Sequence, residues 1–304
     1  MLVTQRAKRR HSHVQFFQLP SLLRTGDLLV VNDSATLPAA LRAQRTSGES
    51  LMLHVATMID ERLWMTEPRG SVTRGEELSL PGGGSATMIA PVEPKRPRLW
   101  YGSFELPLAM SAYLMKVGEP IRYRYMTARF PLSDYQTIFA RNQGSSEMPS
   151  AARPFTARVV HGLQERDVDI APITLHCGVA SFERPERPSI ERYYVSHETA
   201  AAVNGARKEG RRVIAVGSTS LRALESAFQG GEVIASAGWT DLVIGGDSHV
   251  RSVDGLLTGF HDELSTHQSL LGAFLEPDLL MSAYDQAAEH GYYQHEFGDV
   301  HLIL

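Results

Sequence analysis

The stretch VIAVGSTSLRALE, Val213 to Glu225, constrains the fold of this chain more than any other. Four consecutive apolar residues, Val213 to Val216, closed by Gly217, read as a core strand. Ser218, Thr219 and Ser220 then offer hydroxyls suited to capping a helix, and Leu221, Leu224 and Phe228 fall along one face of it. Free amides at such a helix start can hold a carboxylate or phosphate. An ordinary strand-to-helix junction would use the same residues.

With 304 residues the chain has room for two domains. Its 43% hydrophobic and 21% charged content is that of a soluble globular protein. The single cysteine, Cys177, excludes an intramolecular disulfide and fits a reducing cytoplasm. No apolar run approaches the roughly 20 residues that span a bilayer, and the basic start MLVTQRAKRRHSH lacks a signal-type apolar segment. The expectation is a cytoplasmic protein with no membrane partner. A net charge of −4 argues against general coating of nucleic acid. Three basic clusters could still meet RNA: Arg6 to Arg10, Lys95 to Arg98, and Arg122, Arg124 and Arg129 among Tyr123 and Tyr125.

GDLLVVND, Gly26 to Asp33, reads as a strand entering a polar turn. After Arg45 the texture changes to short segments, LMLHVATM, ERLWMTEP and SATMIAPV, spaced by turn signals as in a small β-barrel. Gly82 to Gly84 lacks the Lys and Ser/Thr of a phosphate loop and reads as a hairpin turn. From Ser133 onward helices alternate with strands. Ser196 caps a helix ending at Gly210, AGWTDLVI reads as a strand, Ser265 or Thr266 caps a further helix, and Pro277 opens the last one. This order predicts an α/β main domain with a mostly parallel or mixed sheet.

Twelve histidines raise the question of a metal, but no HExxH or paired CxxC spacing occurs, and no metal is expected. His176 and His261 each end an apolar segment, where functional groups concentrate. Glu191, Glu225 and Asp254 are the carboxylates nearest such ends, suited to act as a base or to bind a ribose hydroxyl. Cys177 reads as a buried thiol rather than a nucleophile paired with its neighbour His176.

The stretches GDLLVVNDSATLPAAL, YQTIFARNQGS, ITLHCGVASF, ERYYVSHETAAAVN, RVIAVGSTSLRALES, GWTDLVI, VDGLLTGFH and the tail FGD, taken in order, resemble the S-adenosylmethionine:tRNA ribosyltransferase-isomerases of queuosine biosynthesis. The resemblance covers nearly the whole chain. It implies a mixed α+β main domain, residues 1–45 and 132–304, interrupted by a small β-barrel domain over 46–131. It also implies S-adenosylmethionine as co-substrate, tRNA as partner, and no metal. By motif it points to His176, Glu191 and His261 as catalytic residues. For substrate binding it points to Asn32, Asp33, Gly144, Ser145, Phe155, Thr156, Thr174, Tyr193, Ser218, Thr219, Ser220, Arg222, Glu225 and Trp239. Thr240 and Phe260 belong to the same motifs. Within this set Glu191 or His176 suits proton transfer, Thr219 and Ser220 suit an anion, and Arg222 suits either an anion or the holding of Glu225.

The chain departs from the family pattern in several places, as a divergent paralogue would. Ala35 and Ala40 stand where the family has arginines, Pro154 and Ser189 where it has histidines, and Ala180 and Ser181 where it has Gly and Thr. GFHDELS lacks the family's asparagine and lysine. Three functions are open on these grounds. The first is ribosyl transfer and isomerisation onto 7-aminomethyl-7-deazaguanine in tRNA. The second is an S-adenosylmethionine-using relative with a small nucleoside or amine acceptor, and the third a non-catalytic binding protein of the same fold.

Overall fold

The computed structural model describes residues 1–123, 126, 128–179, 188–261 and 266–304. The chain opens with an antiparallel pair, β1 (Leu2–Gln5) and β2 (Arg10–His13), and a one-turn helix, α1 (Leu19–Leu22). β3 (Leu28–Asn32) follows with all five residues buried. Its unbroken apolar run is what a strand covered on both faces requires. β4 (Ser34–Thr36) then leads into a closed antiparallel barrel.

The barrel comprises β5 (Ala40–Arg45), β6 (Ser50–Met58), β7 (Leu63–Pro68), β8 (Glu77–Leu80), β9 (Gly84–Pro91) and β10 (Trp100–Glu105), joined in the order β10-β7-β6-β5-β8-β9. It takes its first strand ahead of the change of texture at Arg45. Gly82 and Gly83 turn the β8–β9 connection at φ of +73° and +86°, a region that favours glycine. Leu41, Leu53, Met65, Leu78 and Met88, none more than 1% exposed, fill the interior. α2 (Met110–Val117) brings the chain back, and Glu119 bridges to Ala40 at the barrel's entrance.

β11 (Asn142–Ser145) pairs in parallel with β4. Next come α3 (Ala157–Gln164), β12 (Asp169–Leu175), β13 (Glu191–Val195), α4 (His197–Lys208), β14 (Val213–Val216) and α5 (Gly217–Ser226). A small hairpin, β15 (Phe228–Gln229) with β16 (Glu232–Val233), precedes β17 (Ser236–Thr240) and β18 (Gly255–Gly259). α6 (Thr266–Leu271), α7 (Pro277–Glu289) and β19 (Val300–Ile303) close the chain. The main sheet runs β17-β13-β12-β3-β14-β18-β19-β1-β2. Its centre, β12-β3-β14-β18, is parallel, while β13 and β17 are added antiparallel at one edge. α4 and α5 cover one face of the centre, and α1 and α3 cover the other.

The α/β architecture with a small barrel is therefore present, with four local differences from the sequence reading. No side chain caps α5, because Ser220 Oγ bonds back to the Val216 carbonyl at 2.9 Å and the turn is instead made by Gly217 at φ +90°. α5 stops at Ser226, so Phe228 belongs to a strand and not to the helix face with Leu221 and Leu224. β17 ends at Thr240, short of the full AGWTDLVI segment. Thr266 lies within α6, while Ser265 falls outside the described residues. The cap of α4 is as read: Ser196 Oγ accepts the Thr199 amide at 3.1 Å.

His301 in β19 is fully buried, with Nε2 2.7 Å from Thr4 Oγ1 and its ring stacked on Phe260. Burial, and then the nearby His11 and His267, push its pKa down to about 3. The unfolded chain binds a proton near pH 6.5, so the stability His301 contributes is complete above that value and is lost as pH falls towards 3. The loss is about 2 kcal/mol between pH 6.5 and 5. Urea unfolding at pH 7 and pH 5 should show a shallower decline for His301→Phe than for the wild type. An unchanged decline would contradict this assignment.

Candidate functional site at the barrel junction

The carboxyl ends of the parallel strands lie at one edge of the sheet, where open α/β folds bind ligands. Asn32, fully buried, ends the central strand there. Its Oδ1 accepts the amides of Leu175 and Ser34, each at 3.0 Å. Its Nδ2 donates to the Leu175 carbonyl at 2.8 Å and to Thr219 Oγ1 at 3.2 Å. One amide thus ties β3 to β12, β4 and the first turn of α5.

The next two residues extend this network. Asp33 Oδ1 accepts the Thr174 hydroxyl at 2.6 Å, and Oδ2 accepts Asn142 Nδ2 at 2.9 Å. Ser34 Oγ lies 2.6 Å from Ser145 Oγ and 2.8 Å from His176 Nδ1. Gly144 sits at a register shift in β11, and a Cβ there would come within 2.5 Å of His176 Nδ1. The imidazole occupies the space that this missing side chain leaves. Burial, then the nearby Arg192 cation, hold the His176 pKa below its ordinary value, against a smaller opposing pull from Asp33. The ring is neutral at pH 7. In the tautomer whose Nδ1–H donates to Ser34 Oγ, Nε2 carries the basic lone pair.

Glu191 begins β13 on the opposite face. Its Oε1 accepts the Gly178 amide at 2.8 Å, and its Oε2 is ion-paired with Arg222. Arg222 also donates to the carbonyls of Leu242, at 2.9 Å, and Thr240, at 3.3 Å. Both carboxylate oxygens are thereby engaged, and Arg222 holds Glu191 rather than Glu225. Glu225 Oε1 instead gathers the amides of Arg251 and Ser252 and the Ser252 hydroxyl, at 2.6 to 2.8 Å.

A cavity of about 920 Å³ opens between the barrel and this edge. Gly144, His176 and Arg192 line its sheet side; Thr57, Arg62 and Trp64 of the barrel, with Met110 of α2, line the other. Glu61 and Glu105 add carboxylates on the barrel side. The two walls are joined by Ser146, whose single hydroxyl proton is shared between the β6 carbonyls of Val55 and Ala56, 2.7 and 2.6 Å away.

The structure therefore brings together Asn32, Asp33, Gly144, Ser145, Thr174, His176 and Thr219, with Ser218 in the same helix turn. Other candidates lie elsewhere. His261 follows β18, three strands from β12, or about 14 Å along the edge, and its ring lies 3.9 Å from that of His267. Phe155 is 4% exposed and sits among core residues, edge-on to Phe16 and Phe139. Thr156 caps α3 by accepting the Val159 amide. Tyr193 points to the helical face of the sheet, whereas Tyr194 shares the open face with Arg192. Cys177 is buried, and burial pushes its thiol pKa far up. Among the described residues no three His, Cys, Asp or Glu converge as metal ligands would. Asn142, Arg192 and Arg62 were not singled out from sequence. Strand alternation carries a signal for Arg192 alone, since it must face away from Glu191.

The family model described as Queuosine biosynthesis protein matches residues 1–303. The chain belongs to the queuosine biosynthesis protein family. Relatives named S-adenosylmethionine:tRNA ribosyltransferase-isomerase are 35% identical in Thermus thermophilus and 34% identical in Moorella thermoacetica, each alignment covering 100% of this chain and 92% of the relative. The crystal structure of an S-adenosylmethionine tRNA ribosyltransferase from Thermotoga maritima is similar with a TM-score of 0.56 at 28% identity, covering 100% of this chain and 91% of that one.

Asn32 is fully buried with both its amide oxygen and its amide nitrogen engaged. Asn32→Ala leaves the buried Leu175 amide without its partner, which costs roughly 1–3 kcal/mol. Urea denaturation should show a loss in that range, and a change below about 0.5 kcal/mol, the scale of a surface substitution, would contradict the role given to this amide.

Proposed function

We propose that the chain transfers the ribosyl group of S-adenosylmethionine to 7-aminomethyl-7-deazaguanine in tRNA and isomerises it. The products are the epoxycyclopentanediol-bearing base epoxyqueuosine, adenine and methionine. The sulfonium acidifies the adjacent ribose carbon. A base removes that proton, adenine leaves, and the aminomethyl nitrogen attacks the resulting electrophile; rearrangement then expels methionine.

This reading is carried by the neutral imidazole of His176, held by Ser34 and Gly144 on the wall of a cavity large enough for a nucleoside. His176 is the proton acceptor, and Glu191, engaged on both oxygens, positions the Gly178 backbone. Arg192 and Arg62 supply cations to methionine's carboxylate or to tRNA phosphate. The first-turn amides of α5 at Ser218 and Thr219 face the same edge as further donors.

Purified protein mixed with S-adenosylmethionine and tRNA bearing the 7-aminomethyl base should release adenine and yield a nucleoside of epoxyqueuosine mass. Neither product, from protein that still binds S-adenosylmethionine, would overturn the proposal. His176→Ala should slow turnover by roughly 10²- to 10⁴-fold, the usual contribution of a positioned base. Because the His176 pKa lies below 6.5, the wild-type rate should be flat at neutral pH and fall only as pH drops below that value. A loss under tenfold, or an acid limb retained in His176→Ala, would move the base elsewhere.

A further inference from the structure

The antiparallel edge of the main sheet carries a second surface beside the cavity. In β13 and β17 the register pairs Arg192 with Trp239 and Tyr194 with Ala237. These four residues face away from α4 and α5, and all are exposed. Trp239 is 43% and Tyr194 52% exposed, although large aromatics on an edge strand invite unwanted association. The Arg192 guanidinium lies 5.6 Å from the centre of the Trp239 ring and also lines the cavity. The patch is therefore continuous with the site, and its four residues comprise one cation and no carboxylate.

We infer that Trp239 and Tyr194 form a stacking platform for unpaired bases of an RNA loop, with Arg192 meeting the phosphate between a stacked base and the nucleotide in the cavity. The inference rests on the tRNA reading above, and adds to it the surface that receives the loop. A flat indole and a phenol offer stacking to any base, and a single interleaved cation suits the backbone. A polar solvated strand would need neither aromatic. A helical RNA stem would want a broad basic surface instead of two rings beside one arginine.

Trp239 is also a reporter. The other two tryptophans, Trp64 and Trp100, are 6% and 7% exposed within the barrel, and Trp64 also lines the cavity, so the quenching due to a base stacked on Trp239 is the part that substituting Trp239 removes. An RNA hairpin with a seven-nucleotide loop carrying 7-aminomethyl-7-deazaguanine would be titrated into the full chain and followed by tryptophan fluorescence, and in parallel by anisotropy of a dye on the stem. The wild type should bind with quenching. Trp239→Ala and Tyr194→Ala should each bind roughly 5- to 150-fold more weakly, the range for loss of one stacked base. Trp239→Phe should keep most of the affinity and lose the larger part of the quenching, leaving only what the cavity-lining Trp64 reports, which a structural role for the indole would not produce. Circular dichroism melting confirms that the variants are folded.

Unchanged hairpin affinity in both alanine variants overturns the platform, as does the absence of hairpin binding by the wild type. Self-association of the wild type that Trp239→Ala abolishes without changing hairpin affinity also overturns it, in favour of an interface between copies. Failure of the proposed function is separate. Quenching and weakened variants without adenine release would leave the platform standing and remove the reaction. Adenine release by a wild type whose alanine variants bind equally well would do the reverse.

Discussion

The side-chain amide of Asn32 is the interaction on which the site depends. It lies fully buried at the end of the central strand and is hydrogen-bonded to β12, β4 and α5. A buried amide is tolerable only when its donors and acceptors are satisfied, so these elements are held in one arrangement. The backbone leaving Asn32 is aimed by the same contacts, which places Asp33 against Thr174 and Asn142, and Ser34 against Ser145 and His176. Three consecutive side chains thereby hold in place the imidazole of His176, which lines the cavity.

The barrel supplies the opposite wall, and its position is set by contacts of another kind. Ser146 bonds two carbonyls of β6, and Val179, 2% exposed, is buried in the barrel's apolar core. Between these anchors runs the segment from His176 to Gly178, whose backbone is fixed by Ser145 at Cys177 and by Glu191 at Gly178. The Glu191–Arg222 pair lies on the helical side of the sheet, so it stiffens this segment from behind. A buried ion pair gives up much of its Coulombic gain to desolvation. Its value here is geometric, in holding the segment that carries the imidazole.

The sheet and barrel were legible because strands are written in local apolar patterns. Val213 to Val216 and Leu28 to Val31 announce buried strands, and the texture after Arg45 announces the barrel. The ends of elements were less legible. Ser218 to Ser220 look like caps, yet the backbone at Gly217 makes the turn and the hydroxyls go elsewhere. At the site, Asn32, Asp33 and Thr174 were found through motif likeness and His176 also from its place at the end of an apolar segment, and tertiary contacts alone show that they share one network. Arg192 and Arg62 escaped notice because their relevance arises from juxtaposing two segments far apart in sequence. His261 and Phe155 lie apart from this network, since motif membership alone does not say which elements a ring will sit against.

The proposed reaction requires the donor nucleoside to bind between barrel and sheet against His176. A crystal structure of the chain with S-adenosylmethionine tests it most directly. The ribose should lie in the cavity, with the carbon next to the sulfonium within reach of His176 Nε2 and the amino-acid end near Arg192 or Arg62. A nucleoside seated instead beside His261 and His267, three strands away, would contradict it.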